Sequence, residues 1–224
     1  MGMVFGRVTE EMPAYQLLKE APGFQVRAYA ALVVAETHVS GVMDDGRSDA
    51  FKRLARYIGV FGEANNRGGH ASSASLTGEP EKIAMTAPVL MRPEVIAMTA
   101  PVLMQAGDAH GAAAASQTMS FVLPASKYKC AAECPVPTDD SVAIKDVSAC
   151  TWAVRTFSWN MKDASCRENL ELLLGDLQHE KDWVVVTDST GKPSWRAAGY
   201  NPPFALPWCK TNEVMVDIVP RSKQ

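Results

Sequence analysis

Apolar and polar positions repeat with two different periods along this chain. Phe24-Gln25-Val26-Arg27-Ala28-Tyr29 alternates with period two, as a half-buried strand does. Ala31 to Val39 is rich in β-branched residues and reads as its partner, with Gly41 ending it. The period then changes. Phe51, Leu54, Ala55 and Ile58 fall at i, i+3, i+4 and i+7, the stripe of an amphipathic helix. Ser48 is the expected N-cap and Gly59 the expected C′ residue. Residues 62–80, rich in Gly, Ser, Ala and Asn, read as a flexible loop. Residues 105–117 read as a second one, and residues 1–22 as a lead-in that packs late.

The second half repeats this order. Met119 to Leu123 reads as a strand stopped by Pro124, and residues 128–140 carry no pattern. Val142 to Val147 and Thr151 to Trp159 read as two strands. A helix follows from Lys162 to Leu177, with Cys166, Leu170, Leu173, Leu174 and Leu177 on one face. Trp183 to Thr187, Trp195 to Tyr200 and Glu213 to Val219 are strands, with a turn at Asn201-Pro202-Pro203. The order β-β-α-β-β therefore occurs twice. It lacks the β-α-β alternation of a parallel sheet, so the expected class is α+β: an antiparallel sheet or barrel with two helices outside. Residues 1–224 are read as one domain.

Between the halves the nonamer Ile83 to Met91 returns unchanged as Ile96 to Met104. Its alternate positions are apolar on both faces, so this strand should be covered on both sides. Pro88 and Pro101 lack a ladder donor, which predicts a sheet edge or a bulge for each copy.

Composition narrows the function. The chain is 47% hydrophobic and 21% charged, with a formal net charge of -3, so no basic field draws it to nucleic acid. No apolar run reaches the roughly 18 residues of a membrane span. The amino terminus lacks a signal-peptide pattern, and five cysteines without a C-x-x-C pair read as reduced thiols. A cytoplasmic location is expected. G-x-S-x-G, H-E-x-x-H, P-loop and Rossmann fingerprints are absent from the sequence.

Several stretches resemble the SOUL haem-binding protein family. They are Lys82-Ile83-Ala84-Met85-Thr86-Ala87-Pro88-Val89, the helix end Arg56-Tyr57-Ile58-Gly59, and Pro135-Val136-Pro137 before Val142-Ala143-Ile144. Ala198-Gly199-Tyr200-Asn201-Pro202-Pro203 and Asn212-Glu213-Val214 complete the set. The opening Met1 to Gly6 and Tyr57 to Gly62 resemble its cytosolic plant and algal branch. The resemblance implies a distorted eight-stranded antiparallel β-barrel of two β-β-α-β-β halves with two flanking helices. It also implies a reversible, non-covalent ligand: haem b and related porphyrins, with no protein partner specified.

A porphyrin needs an apolar surface and cations near its rim. The first helix offers Phe51, Leu54, Ala55 and Ile58 for the macrocycle, and Lys52 and Arg56 for propionates. The resemblance implies that Arg56 matches a basic residue implicated in propionate binding, that Phe51 and Ala55 stand where animal members have methionines, and that Arg47 lies near another basic position. Tyr200 is placed to stack on the porphyrin edge or offer its hydroxyl. A histidine that some members carry after the first-strand arginine is replaced by Ala28. His38, His70, His110 and His179 remain as ligand candidates, with the repeat methionines and Cys209 behind them, and weak axial coordination is expected. A carrier or buffer for haem is the leading expectation. A tetrapyrrole-processing enzyme and a protein-interaction module are the alternatives.

Overall fold

The structure is a computed structural model that describes residues 10–39, 44–68, 78–93, 117–202 and 205–221. It opens with a strand inside the supposed lead-in. β1 (Tyr15–Ala21) turns through Pro22-Gly23 into β2 (Phe24–Tyr29). Proline presets the first corner of this hairpin, and Gly23, at φ 93°, takes the left-handed conformation that the second corner requires. β3 (Leu32–Val39), α1 (Asp44–Tyr57), β4 (Asn66–Arg67), β5 (Val89–Pro93) and β6 (Gln117–Val122) follow. After them come β7 (Val136–Pro137), β8 (Val142–Val147), β9 (Cys150–Phe157) and α2 (Asp163–Gln178). The chain closes with β10 (Trp183–Val185), β11 (Trp195–Gly199) and β12 (Asn212–Pro220).

α1 begins one turn before the expected cap, so Ser48 lies inside it. Its other end is as expected. Gly59 adopts φ 80°, its N–H bonds the Arg56 carbonyl at 3.1 Å, and the Val60 N–H reaches back to Ala55 at 2.9 Å. These two bonds make a Schellman stop, which satisfies carbonyls the helix would otherwise leave unpaired.

Antiparallel ladders join the strands in the order β1-β2-β9-β12-β11-β5-β6-β3-β8, with β10 added on the far end of β12. Eight of them form a palindrome. Exchanging β2 with β8, β3 with β9, β5 with β11 and β6 with β12 turns every ladder among these eight into another observed ladder. The two β-β-α-β-β halves thus meet at the β5–β11 seam and lend each other a strand: β2 pairs with β9 and β8 with β3.

The sheet is nevertheless open. β1 and β8 are its ends, and among the described residues no ladder joins them, so the closed eight-stranded barrel is not formed. Closure requires a free edge at both ends, and β1 occupies the one that β2 would have offered. The sheet is still strongly curled. Tyr29 and Leu32 are separated by two residues, hence by at most about 10 Å, yet they belong to strands near opposite ends of the order.

Both helices pack on one face. α1 covers β3, β6 and β8, burying Ala50, Leu54, Ala55, Tyr57 and Ile58 against Val33, Ala35, Met119, Phe121 and Val142. α2 covers β9 and β12 with Cys166, Leu170, Leu173 and Leu177, the face read from the sequence. The opposite, concave face gathers Tyr29, Leu32, Val34, Leu90, Val122, Trp152, Val154, Ala198 and Met215.

The first repeat copy supplies β5, covered on both sides: Met91 faces α1 and Leu90 the concave side. It is not an edge strand, because β6 and β11 flank it. Pro88 immediately precedes the strand, joined to Ala87 by a cis bond, so no ladder donor is missing where the expectation required an edge or bulge. The second copy, Ile96 to Met104, lies outside the described residues, as do 69–77 and 105–116 of the two expected loops.

Candidate functional site

The eight residues singled out on the sequence are not brought to one place. Leu54 and Ala55 have no exposed surface and Ile58 has 1%, because the apolar stripe of α1 is turned into the sheet. A macrocycle would reach them only if the helix lifted off its core. Phe51 is half-buried and meets Phe121 edge-on at 5.3 Å between centroids. Arg47 is engaged by the Asp163 carboxylate at the start of α2 and by Gln117 at 3.4 Å, so it ties the two helices together. Lys52 and Arg56 are exposed, four residues apart on the solvent side, and Lys52 reaches Asp49 at 3.3 Å. Just past the helix end Val60 and Phe61 are exposed, Phe61 to 62%.

Tyr200 stands on the other side of the sheet. It borders a cavity of about 60 Å³ in the concave face, lined also by Met12, Tyr15, Tyr29, Leu90 and Trp152. A pocket for a drug-sized or larger ligand has about 300–1,000 Å³, so the cavity as it stands holds no macrocycle.

A polar network lies beside this cavity. Arg27 donates to Glu213 at 3.0 Å, to Gln25 at 2.8 Å and to the Tyr29 hydroxyl at 3.4 Å. Tyr200 donates to the other Glu213 oxygen at 2.5 Å, and Thr156 to the first at 3.3 Å. Burial is the largest influence on Arg27 and opposes its charge, but the Glu213 carboxylate and the Tyr29 hydroxyl together outweigh it, and the guanidinium stays charged above its usual range. Burial pushes the Tyr29 hydroxyl up to about 12. Burial, then the Glu213 charge, drives Tyr200 upward as well, so its phenolate is disfavoured as an iron ligand. One strand over, Arg196 grips Asp217 with bonds of 2.8 and 2.7 Å and lies 4.3 Å over the Trp152 ring. The Trp152 N–H also donates to Asp217, at 2.6 Å.

The sequence held a signal for this network that periodicity alone passes over. Arg27 lies inside, and Glu213 near the start of, strands otherwise destined for the core. A buried charge persists only when paired, so two such strands of opposite sign point to each other. Among ligand candidates, His38 and His179 are exposed, and His70 and His110 lie outside the described residues. The five cysteines carry no disulfide, and burial pushes Cys134 up to about 12 and Cys150 and Cys166 up to about 11. No helix among the described residues is long and apolar enough to cross a membrane.

Two interlocked β-β-α-β-β halves, with helices on one face and an aromatic, charged cleft on the other, define a pseudo-symmetric α+β domain. The chain belongs to the SOUL heme-binding protein family, whose model matches residues 10–217. No curated protein is similar enough in sequence to match it. Among solved structures it is similar to the EcmrR C-terminal domain, at 8% identity and a TM-score of 0.50, covering 92% of this chain and 98% of that one. It is similar also to a hydrolase from Listeria innocua, at 8% identity and a TM-score of 0.50, covering 90% and 94%. At these identities the likeness concerns the fold alone.

Proposed function

We propose that this protein binds haem b, or a related tetrapyrrole, reversibly and without covalent attachment, as a carrier or buffer in the cytoplasm. Family membership supports the ligand class. The observation that carries the site is the pair Lys52 and Arg56, exposed on one side of α1 beside the exposed Val60 and Phe61. Residues four apart on a helix are neighbours, so the pair presents two cations to two propionates. Val60 and Phe61 give the macrocycle an apolar seat that the buried stripe of α1 does not.

These residues fit the rim of a porphyrin better than its iron. No histidine follows Arg27, and Tyr200 is held protonated across the sheet. Affinity then comes from apolar contact and propionate pairing. Titration with hemin should give a saturable Soret change near one equivalent. Arg56→Glu, which sets a carboxylate beside the propionates, should weaken binding at least about tenfold. A titration that never saturates would overturn the function, and an unmoved affinity in the variant would overturn the site.

A further inference from the structure

The cleft on the concave face lies apart from the helix surface just described, and its cover is unlike the rest of the fold. The eight palindromic strands need no β1, and β8, the counterpart of β2, carries no such added strand among the described residues. The segment before β1 crosses the cleft mouth, where Met12, Pro13 and Tyr15 line the cavity. Glu11 holds it there, through a parallel bridge to Thr86 and the bonds that follow. The Glu11 carbonyl accepts from the Ala87 N–H at 3.1 Å. The Glu11 carboxylate accepts from the Ser126 N–H and hydroxyl at 3.2 and 2.7 Å, at an exposed position.

β1 itself divides into two parts. Its ladder with β2 shifts register between Leu17 and Lys19. Beyond the shift, Lys19 anchors the strand to Glu180 at 2.9 Å. Before it, Tyr15 and Leu17, and Met12 ahead of the strand, are all exposed by more than 40%. An irregular register is where pairing is locally weakened. Tyr15 to Leu17 pair with β2 ahead of the shift, so opening residues 11–17 would release only these three pairs while Lys19 to Ala21 stay paired.

Tyr15 shows what the uncovered cleft would accept. Its ring packs 5.5 Å from Tyr29 and 4.5 Å under the Arg27 guanidinium, and Tyr29 continues at 4.6 Å to Trp152. A half-exposed aromatic side chain is thus parked at one end of a row of rings capped by a cation. Arg27 is already neutralised by Glu213, so the row favours no net charge on its occupant. The hydroxyls of Tyr29 and Tyr200 offer hydrogen bonds at the cleft wall.

We infer that this cleft is a second ligand site, for a small, flat, uncharged aromatic molecule carrying one hydrogen-bonding group. The segment 11–17 is its lid, and Tyr15 holds the ligand's place when the site is empty. A dry cavity of about 150 Å³ takes benzene. The present cavity of about 60 Å³ reaches that scale only when Met12 and Tyr15 move out.

The test is calorimetric titration of the full chain with 1-naphthol, against its saturated analogue decahydro-1-naphthol. One saturable 1-naphthol site is expected, with much weaker uptake of the analogue. Tyr15→Ala, at an exposed position, removes the competing ring and should tighten binding several-fold while leaving the unfolding transition in place. Leu90→Phe fills the cavity and should abolish binding. Saturation with hemin should leave the naphthol isotherm unchanged. Equal binding of both alcohols, no binding by a folded Tyr15→Ala protein, or displacement by hemin would each overturn the proposal. So would binding lost in Arg56→Glu but retained in Leu90→Phe. Failure of hemin to bind, with naphthol binding intact, would remove the haem reading and leave this one standing.

Discussion

On the face that carries α1 and α2, the strands send out Val33, Ala35, Phe121, Ala153, Val214 and Val216, and the helices close over them. From the other face the same strands present Tyr29, Trp152 and Met215 beside Arg27 and Glu213, with a cavity at the centre. One face buries apolar surface beneath two helices, and burial of about 25 cal/mol per Å² makes it the main source of stability. The other buries an ion pair, whose net worth is small because both charges must leave water. Apolar burial is therefore concentrated under the helices, and buried charge on the concave face. Leu54, Ala55 and Ile58, first expected to meet a ligand, are instead buried between α1 and the sheet.

Removing one member of the charged pair should be the harshest test of this division. Glu213→Ala leaves Arg27 buried without its partner, and breaking such a pair costs about 3–5 kcal/mol, read as a lowered midpoint in denaturant unfolding. A loss near zero would mean that the concave face is wet. Leu54→Ala probes the closed face. It should cost about 3 kcal/mol through lost contacts and a cavity, with hemin affinity per folded molecule unchanged. An unaltered midpoint would show that α1 is not seated as described.

Alkaline pH probes the concave face through Tyr29. The folded Tyr29 hydroxyl is raised to about 12 from its ordinary 10. A raised value stabilises the protonated form, so this contribution is complete below pH 10 and is lost as pH rises through about 12. At most about 2–3 kcal/mol is involved. Phenolate absorbance should lag behind that of an unfolded control across that window. Coincident titration of all five tyrosines in the folded protein would contradict the burial of Tyr29. The smallest effect is expected from deleting Ile83 to Val95. Ile96 onward then follows Lys82 with the same nine residues, and shortening the connection changes closure entropy by about 1 kcal/mol or less. A non-cooperative melt would show that both copies are structural.

Much of this architecture could be read from the chain. Period two marked β2, and period 3.6 marked α1 and α2, whose apolar stripes are buried against the sheet. β1 was missed because its side chains are largely exposed and leave no core pattern, although Pro22-Gly23 announced its turn. The barrel failed to close for a reason outside local sequence: β1 takes an edge, and edge occupancy depends on pairings far apart in the chain. The site was least legible. A stripe such as Phe51, Leu54, Ala55 and Ile58 looks the same whether it meets a porphyrin or a sheet, and only tertiary packing decides. Arg27 and Glu213, separated by 186 positions, become one unit only when β2 and β12 flank β9.

The central claim is that haem meets the solvent side of α1 and not the aromatic cleft. Hemin titration of Lys52→Glu/Arg56→Glu alongside Leu90→Phe tests it most directly, with each variant first shown to unfold as the parent does. The account predicts that the helix variant loses affinity by at least about tenfold, while the filled cleft binds hemin like the parent. Undiminished binding by the helix variant together with loss in Leu90→Phe would contradict it and move the haem to the concave face.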